Sequence, residues 1–369
     1  MRVVMISKAL VRGAYQRKLE ELARRPDVEL TLVTPPAWTD GGHRVVLERR
    51  YTTGYDLVVA PIRFEGRFHV YHYPGLERLL AQLRPDVVHA DEEPYNLATV
   101  QAVWAARRLG ARTIFYTWQN IYRRLPPPFG LLERYVYGHS DYAITANQDA
   151  VGVLRRKGYR GPLAVIPGFG VDPELFRPPE SEPVPRPFTV GYVGRLVRPK
   201  GLLDLLEAVA GLGGEWRLEV VGDGPLREEL AARAATLGVA VRVRIRAEVP
   251  STEVPAALAG FDVLVLPSVS TPRWREQFGR VLIEAMACGV PVVGSDSGEI
   301  PHVIGEAGLV FPEGRPDRLR ACLARLAGDP AERRRLGQLG RKRVLAHYTQ
   351  ARIAEATYRV YREVLGAGR

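Results

Sequence analysis

The feature that most constrains this chain is a rhythm. Short apolar runs rich in β-branched residues alternate with amphipathic helical patterns along its length. In the first half the runs fall at residues 3–6, 29–33, 57–59, 87–89, 113–116, 142–145 and 163–166, with helical stretches such as 15–25 and 97–109 between them. Strands this apolar cannot sit in a sheet with one wet face. Alternating with helices, they predict parallel sheets covered on both sides. Residues 177–187 read RPPESEPVPRP, and five prolines in eleven positions cannot build a packed element, so a linker is expected there. The rhythm then restarts at 188–193, 217–221, 241–245, 263–266 and 291–294, and it closes on a helical pattern at 350–365. The 369 residues exceed one ordinary core. The expected α/β architecture is two Rossmann-like doubly wound domains, at 1–180 and 188–349, facing a cleft, with a terminal helix at 350–369 packed back on the first.

Open parallel sheets bind ligands beyond the carboxyl ends of their strands. The residues after each run are therefore the candidate site. In the first half they are Lys8, Thr34, Asp91-Glu92-Glu93, Trp118-Gln119-Asn120, Asn147 and Gly168. In the second they are Gly194-Arg195, Gly222-Asp223-Gly224, Ala247-Glu248, Pro267-Ser268 and Ser295 to Glu299.

A formal charge of +11 raises the question of nucleic acid, but residues 1–180 carry +6 and residues 181–369 carry +5. A surplus spread so evenly lacks the concentrated patch that nucleic acid requires. It suits anionic substrates and permits peripheral contact with an anionic membrane. No apolar run reaches the length of a signal peptide core or a membrane span, so a cytoplasmic protein is expected, peripheral at most at the inner membrane face. Cys288 and Cys322 lie in alanine-rich helical patterns, where packing is the expected role, and no ligand spacing for a metal is present.

Two segments carry chemistry. Residues 194–201, GRLVRPKG, follow a strand and place Arg195 and Lys200 where two long cations can converge on a diphosphate, with Gly194 letting backbone approach it. Ordinary surface charge near a turn explains that octapeptide equally well. Residues 276–289, EQFGRVLIEAMACG, add Glu276 and Glu284 separated by seven residues. A helix opening near Gly279 presents free N–H groups to an anion, with Glu276 just before that end and Glu284 more than a turn inside. One carboxylate can accept from sugar hydroxyls and the other from a ribose. In the first half, Asp91, Glu92 and Glu93 can hold a general base for an acceptor hydroxyl, or can simply be acids at a helix N-terminus. Trp274 can touch an acceptor or anchor its loop. His89, His139 and His302 are expected to be structural or surface groups.

From residue 188 to about 326 the chain resembles retaining glycosyltransferases of family 4, which have the GT-B fold. The matching stretches are GRLVRPKG, VGDGPLREEL, VLVLPS, EQFGRVLIEAMACGVPVVGSDSGEIPHVI and AGLVFPEG. The resemblance implies that Glu276 contacts a donor sugar, Glu284 its ribose, and that Arg195 and Lys200 neutralise a departing diphosphate. It also implies donor contacts for Phe278, Gly279 and Arg280, for Gly298 and Glu299, and for the loop holding Glu248, where the base would lie. The first half matches more loosely. IPGFGVDPELF at 166–176 resembles the segment closing the family's first domain, with Phe169 where Asn is common. The loop at 7–15 offers only Gly13, and Gln119 stands where many relatives carry a histidine. Glutamine donates a hydrogen bond but cannot act as acid or base.

The expected reaction is transfer of a sugar from a nucleoside-diphosphate sugar to a hydroxyl of a glycan, glycolipid or small molecule. No cofactor and no divalent metal are expected, because Arg195 and Lys200 cover the diphosphate. Gln119 joins Arg195, Lys200 and Glu276 as a catalytic candidate. Lys8, Asp91, Glu92, Glu93, Trp118, Asn120 and Trp274 are candidates for acceptor contact. The rivals are a two-lobed nucleotide-sugar-binding protein without catalysis and a GT-B-like epimerase.

Overall fold

The computed structural model of the protein describes residues 1–40, 42–179 and 186–366. The chain forms two compact units, Met1–Gly170 with Gln350–Arg369, and Val171–Thr349.

The first unit runs β1 (Arg2–Ile6), α1 (Arg17–Ala23), β2 (Glu29–Thr34), β3 (Ala37–Asp40), β4 (His43–Val46), β5 (Asp56–Val59), α2 (Leu76–Leu83), β6 (Val87–Ala90), α3 (Leu97–Arg108), β7 (Arg112–Thr117), α4 (Phe129–His139), β8 (Tyr142–Thr145), α5 (Gln148–Arg156) and β9 (Leu163–Val165). Its seven-stranded sheet has the order β5-β2-β1-β6-β7-β8-β9, and every pair is parallel. Successive residues of a strand face opposite ways. Val3 and Met5 of β1 therefore join Leu19 and Leu22 of α1, while Val4 and Ile6 join Leu76 and Leu80 of α2 on the other face. β3 and β4 form a separate antiparallel hairpin that the periodicity did not predict.

The second unit runs β10 (Phe188–Val193), α6 (Leu202–Ala210), β11 (Trp216–Val221), α7 (Arg227–Thr236), β12 (Val243–Arg246), α8 (Val254–Leu258), β13 (Val263–Leu266), α9 (Arg280–Ala287), β14 (Val292–Ser295), α10 (Ile300–Ile304), β15 (Gly308–Phe311), α11 (Pro316–Gly328) and α12 (Pro330–His347). Its sheet has the order β12-β11-β10-β13-β14-β15, again parallel throughout. The strand expected at 241–245 starts two residues later, because Ala240–Arg242 forms a one-turn 3-10 segment that leaves Val241 97% exposed.

The last helix, α13 (Gln350–Gly366), belongs to the first unit. Its Ile353, Ala354, Val360, Tyr361 and Val364 pack into the core that holds Val3, Met5 and Leu19. The chain enters the second unit at Val171, ahead of the position expected from the prolines, since the Val171 N–H donates to Tyr348 O at 2.8 Å. Most of the expected linker, residues 180–185, lies outside the described residues, as do residues 367–369 of the expected terminal helix.

In each sheet the strand order reverses once, between β1 and β6 and between β10 and β13. Such a switch point opens a crevice at the carboxyl edge, where doubly wound sheets take their ligands.

Candidate functional site

At the β10/β13 switch point the strand ends are tied together by backbone. Gly201 has φ +66°, and a Cβ there would lie 1.8 Å from Pro267 O. That approach brings Lys200 to the loop following β13. Its ammonium donates to Glu276 Oε2 at 2.5 Å, and Ser268 Oγ donates to the same oxygen at 2.8 Å. The Trp274 ring lies 5.3 Å from Lys200 Nζ. Glu276 is buried, and its backbone is clamped from the other side. Gly298, at φ +56°, would place a Cβ 2.0 Å from Glu276 O, and the Glu299 N–H donates to that oxygen at 3.2 Å.

α9 opens directly after Gly279, as the glycine and the preceding loop predicted. Phe278 is buried, with its ring 5.9 Å from that of Tyr348. Glu284, one turn into the helix, is buried and pairs with Arg280 Nε at 2.7 Å. Burial pushes its carboxyl above the usual range, and the Arg280 guanidinium opposes that shift. Arg195 is exposed, and its side chain makes no ion pair among the described residues. Glu248 is exposed after β12. Glu299 is buried at the start of α10, with Oε2 3.5 Å from His302 Nδ1. The unit thus holds a cation on a carboxylate, an exposed arginine and a helix start on one edge. Together these can bind a phosphate between hydroxyl-bearing groups.

The first unit differs from the reading of its acids as a helix N-terminus. α3 starts at Leu97 with Asn96 before it, so Asp91, Glu92 and Glu93 lie in the loop and not in the first turn. Each is engaged separately. Asp91 accepts from Ser7 Oγ at 2.9 Å and sits 3.5 Å from Lys18 Nζ. Glu92 takes both the backbone N–H of Lys8, at 2.7 Å, and the Lys8 ammonium. That ammonium also lies 4.5 Å from the Phe68 ring centroid, 5.2 Å from Tyr71 and 5.3 Å from Trp38. Lys8 is therefore a buried partner of Glu92.

Glu93 accepts from Thr117 Oγ1 and from the Trp118 N–H, both at 2.7 Å. Burial raises its carboxyl to about 7, although those hydrogen bonds and the Lys8 charge pull the other way. The structure thus joins the acidic loop to the segment holding Trp118, Gln119 and Asn120. Trp118 is half-buried and packs on Phe169 at 5.2 Å, and Asn120 is buried. His89 is buried, its Nδ1 2.9 Å from Tyr361 Oη, and burial lowers it to about 4. It is a structural group, as expected.

Sequence reasoning missed three side chains at these edges. Ser268 on Glu276 was noted only as following a strand. Lys157 and Glu133 hold Gln119, at 2.8 Å from Lys157 Nζ to Gln119 Oε1 and 2.6 Å from Lys157 Nζ to Glu133 Oε1. A signal for Glu133 did exist: an acid three residues before Val136, on the apolar stripe of α4.

Two family models tile the chain. The one described as glycosyl transferases group 1 matches residues 176–343, and the one described as a glycosyl transferase 4-like domain matches residues 13–168. A 2-deoxystreptamine N-acetyl-D-glucosaminyltransferase of Streptomyces fradiae is 30% identical over 311 residues, covering 73% of this chain and 72% of that relative. An MMP alpha-(1->4)-mannosyltransferase of Mycolicibacterium hassiacum is 34% identical over 213 residues, covering 55% of this chain and 49% of the relative. The chain thus spans about half the length of several curated relatives that it matches. The structure of Anabaena HepE in complex with UDP superposes with a TM-score of 0.72 at 18% identity, covering 98% of this chain and 100% of that one.

Proposed function

From the chain's membership of the group 1 glycosyl transferases, the family to which it belongs, we propose that it moves a sugar, with retention, from a nucleoside-diphosphate sugar to an acceptor hydroxyl. The observation that carries this reading is the paired Glu276 and Glu284 astride the start of α9, with Lys200 on the first of them. Glu276 receives the donor sugar and Glu284 the ribose, while the diphosphate lies between them against Lys200, Arg195 and the backbone from Phe278 to Arg280. The nucleotide named in the HepE structure supports this reading, as do the hexosyl transfers named for the two relatives.

The departing phosphate itself accepts the acceptor's proton on the face it leaves, so no covalent carboxylate is required. Lys200 and Arg195 stabilise the charge that develops on it. Lys200 donates to Glu276. A diphosphate brings more negative charge than one carboxylate, so the ammonium turns toward it while Glu276 passes to the sugar hydroxyls. The two cations take the part that a divalent metal plays elsewhere, and transfer is expected to survive chelation by EDTA. The acceptor is a glycan, glycolipid or small molecule. Among the described residues no helix is long and apolar enough to cross a membrane. Contact with an anionic membrane would be peripheral, and it is checked by sedimentation with anionic vesicles.

The deciding experiment is thermal unfolding of the protein against UDP-, GDP-, ADP- and dTDP-sugars, followed by transfer assays with whichever donor stabilises it. Lys200→Ala should then lower kcat by roughly 10²- to 10³-fold. Unchanged turnover would remove Lys200 from leaving-group stabilisation, and no response to any donor would remove the reading itself.

A further inference from the structure

A buried ion pair in the first unit has no part in the roles given so far. Lys157 follows α5, and its ammonium bridges Glu133 Oε1 at 2.6 Å and Gln119 Oε1 at 2.8 Å. The two charged side chains are only 5% and 7% exposed. Pairs this buried often contribute little net stability, because desolvation offsets their attraction. Their effect on a neighbour's geometry is another matter. An ammonium has donors and no acceptor, so the Gln119 atom facing it must be the carbonyl oxygen. The usual ambiguity of an amide's two ends is thereby removed.

The other end, the Gln119 NH2, has no protein partner among the described residues. Its backbone is pinned as well. The Gln119 N–H donates to Thr117 Oγ1 at 3.2 Å, and the Thr117 hydroxyl donates in turn to Glu93. α4, α5 and the loop after β6 therefore converge to fix one amide at the carboxyl end of β7, the edge at which a parallel sheet takes its ligand.

We propose that Lys157, seated on Glu133, is a positioning residue that makes Gln119 a one-way hydrogen-bond donor, with its NH2 presented to a hydroxyl oxygen of a substrate bound at this edge of the first unit. The inference rests on the sugar-transfer reading for the identity of that oxygen. The locking of the amide stands on the hydrogen bonds alone.

The test separates the two. Gln119→Glu keeps an oxygen for Lys157 but has no N–H to donate. It should retain the wild-type unfolding temperature while transfer kcat falls roughly 10- to 100-fold. Lys157→Met should lose turnover in the same direction with donor KM little changed, and Lys157→Arg should recover part of it. Since Lys157→Met leaves Glu133 buried and unpaired, the double variant K157M/E133M provides a fold without the stranded charge, and it should show the same loss.

An activity-independent readout is the Gln119 side-chain NH2 signal in ¹⁵N-labelled protein, assigned by its absence in Gln119→Glu. In K157M/E133M it should shift and exchange faster with water. Unchanged signals would overturn the positioning role even in a preparation that transfers no sugar. Wild-type turnover by Gln119→Glu would overturn the donor role. A locked amide in a protein that answers to no sugar donor would instead overturn the sugar-transfer reading.

Discussion

A methyl group at position 201 would stand 1.8 Å from Pro267 O, on a backbone at φ +66° that favours glycine. Nothing flexible can yield there, because the obstacle is main chain. Gly201→Ala should therefore destabilise the second unit by on the order of 2 kcal/mol or more, and it should separate Lys200 from Glu276. The drop appears in urea unfolding, and the lost pairing as weaker donor binding. Glu93 gives a prediction in pH. Its carboxyl is raised from 4.5 to about 7, chiefly by burial, so the folded chain holds that proton more tightly than the unfolded chain does. Stability from this group is full below about pH 4.5 and is lost as pH rises through about 7. The loss is on the order of 3 kcal/mol, and Glu93→Gln should abolish that part of the pH profile measured by denaturant melts. These side chains differ in how far they could be read from the sequence. Glu276, Gly279 and Glu284 sit within nine consecutive residues, so one helix start relates them. Lys200 meets Glu276 from 76 residues away, and Lys157 meets Gln119 from 38, so only the strand order brings them together. A lysine at the end of α5 reads as an ordinary cation complementing the helix dipole.

At the level of elements, three strands buried on both faces were legible to the residue, while β6 and β14, equally buried, each differ by one residue from their apolar runs. Tyr142–Thr145, Phe188–Val193 and Val263–Leu266 begin and end where their apolar runs do. Elements at the margins were not. β15 is an edge strand that starts with glycine and leaves Val310 exposed, and β4 is mostly exposed, so neither carries a period strong enough to read. α13 was legible as a helix from its apolar stripe, and its place in the first unit is explained by what that stripe covers. Tyr361 is fully buried, and its hydroxyl meets His89 Nδ1. Tyr361→Ala should cost about 3–5 kcal/mol through the cavity it leaves, and Tyr361→Phe about 1–3 kcal/mol through the stranded imidazole nitrogen. Thermal unfolding of both variants distinguishes packing from hydrogen bonding at this position.

At the level of the whole molecule, the two units are built differently from the chain. The second is one continuous stretch, Val171–Thr349, while the first is completed only by α13. A fragment of residues 171–349 should therefore fold alone and be stabilised by the same nucleotide that stabilises the full protein, as read by thermal shift. A fragment ending at residue 170 should not fold cooperatively, because the apolar surface around Val3, Met5 and Leu19 loses Ile353, Val360 and Tyr361. Adding a peptide of residues 350–366 should restore part of its helical circular dichroism. If the shorter fragment melted cooperatively by itself, α13 would be an appendage and not a part of the core.

That discontinuity also sets an order of events on the ribosome. The strands of the first unit emerge first, yet α13 leaves the exit tunnel only after all of Val171–Thr349. Throughout the synthesis of the second unit the first still waits for its closing helix. The first unit is thus begun before the second and finished after it, and for that interval the apolar face around Val3, Met5 and Leu19 lacks the helix that covers it.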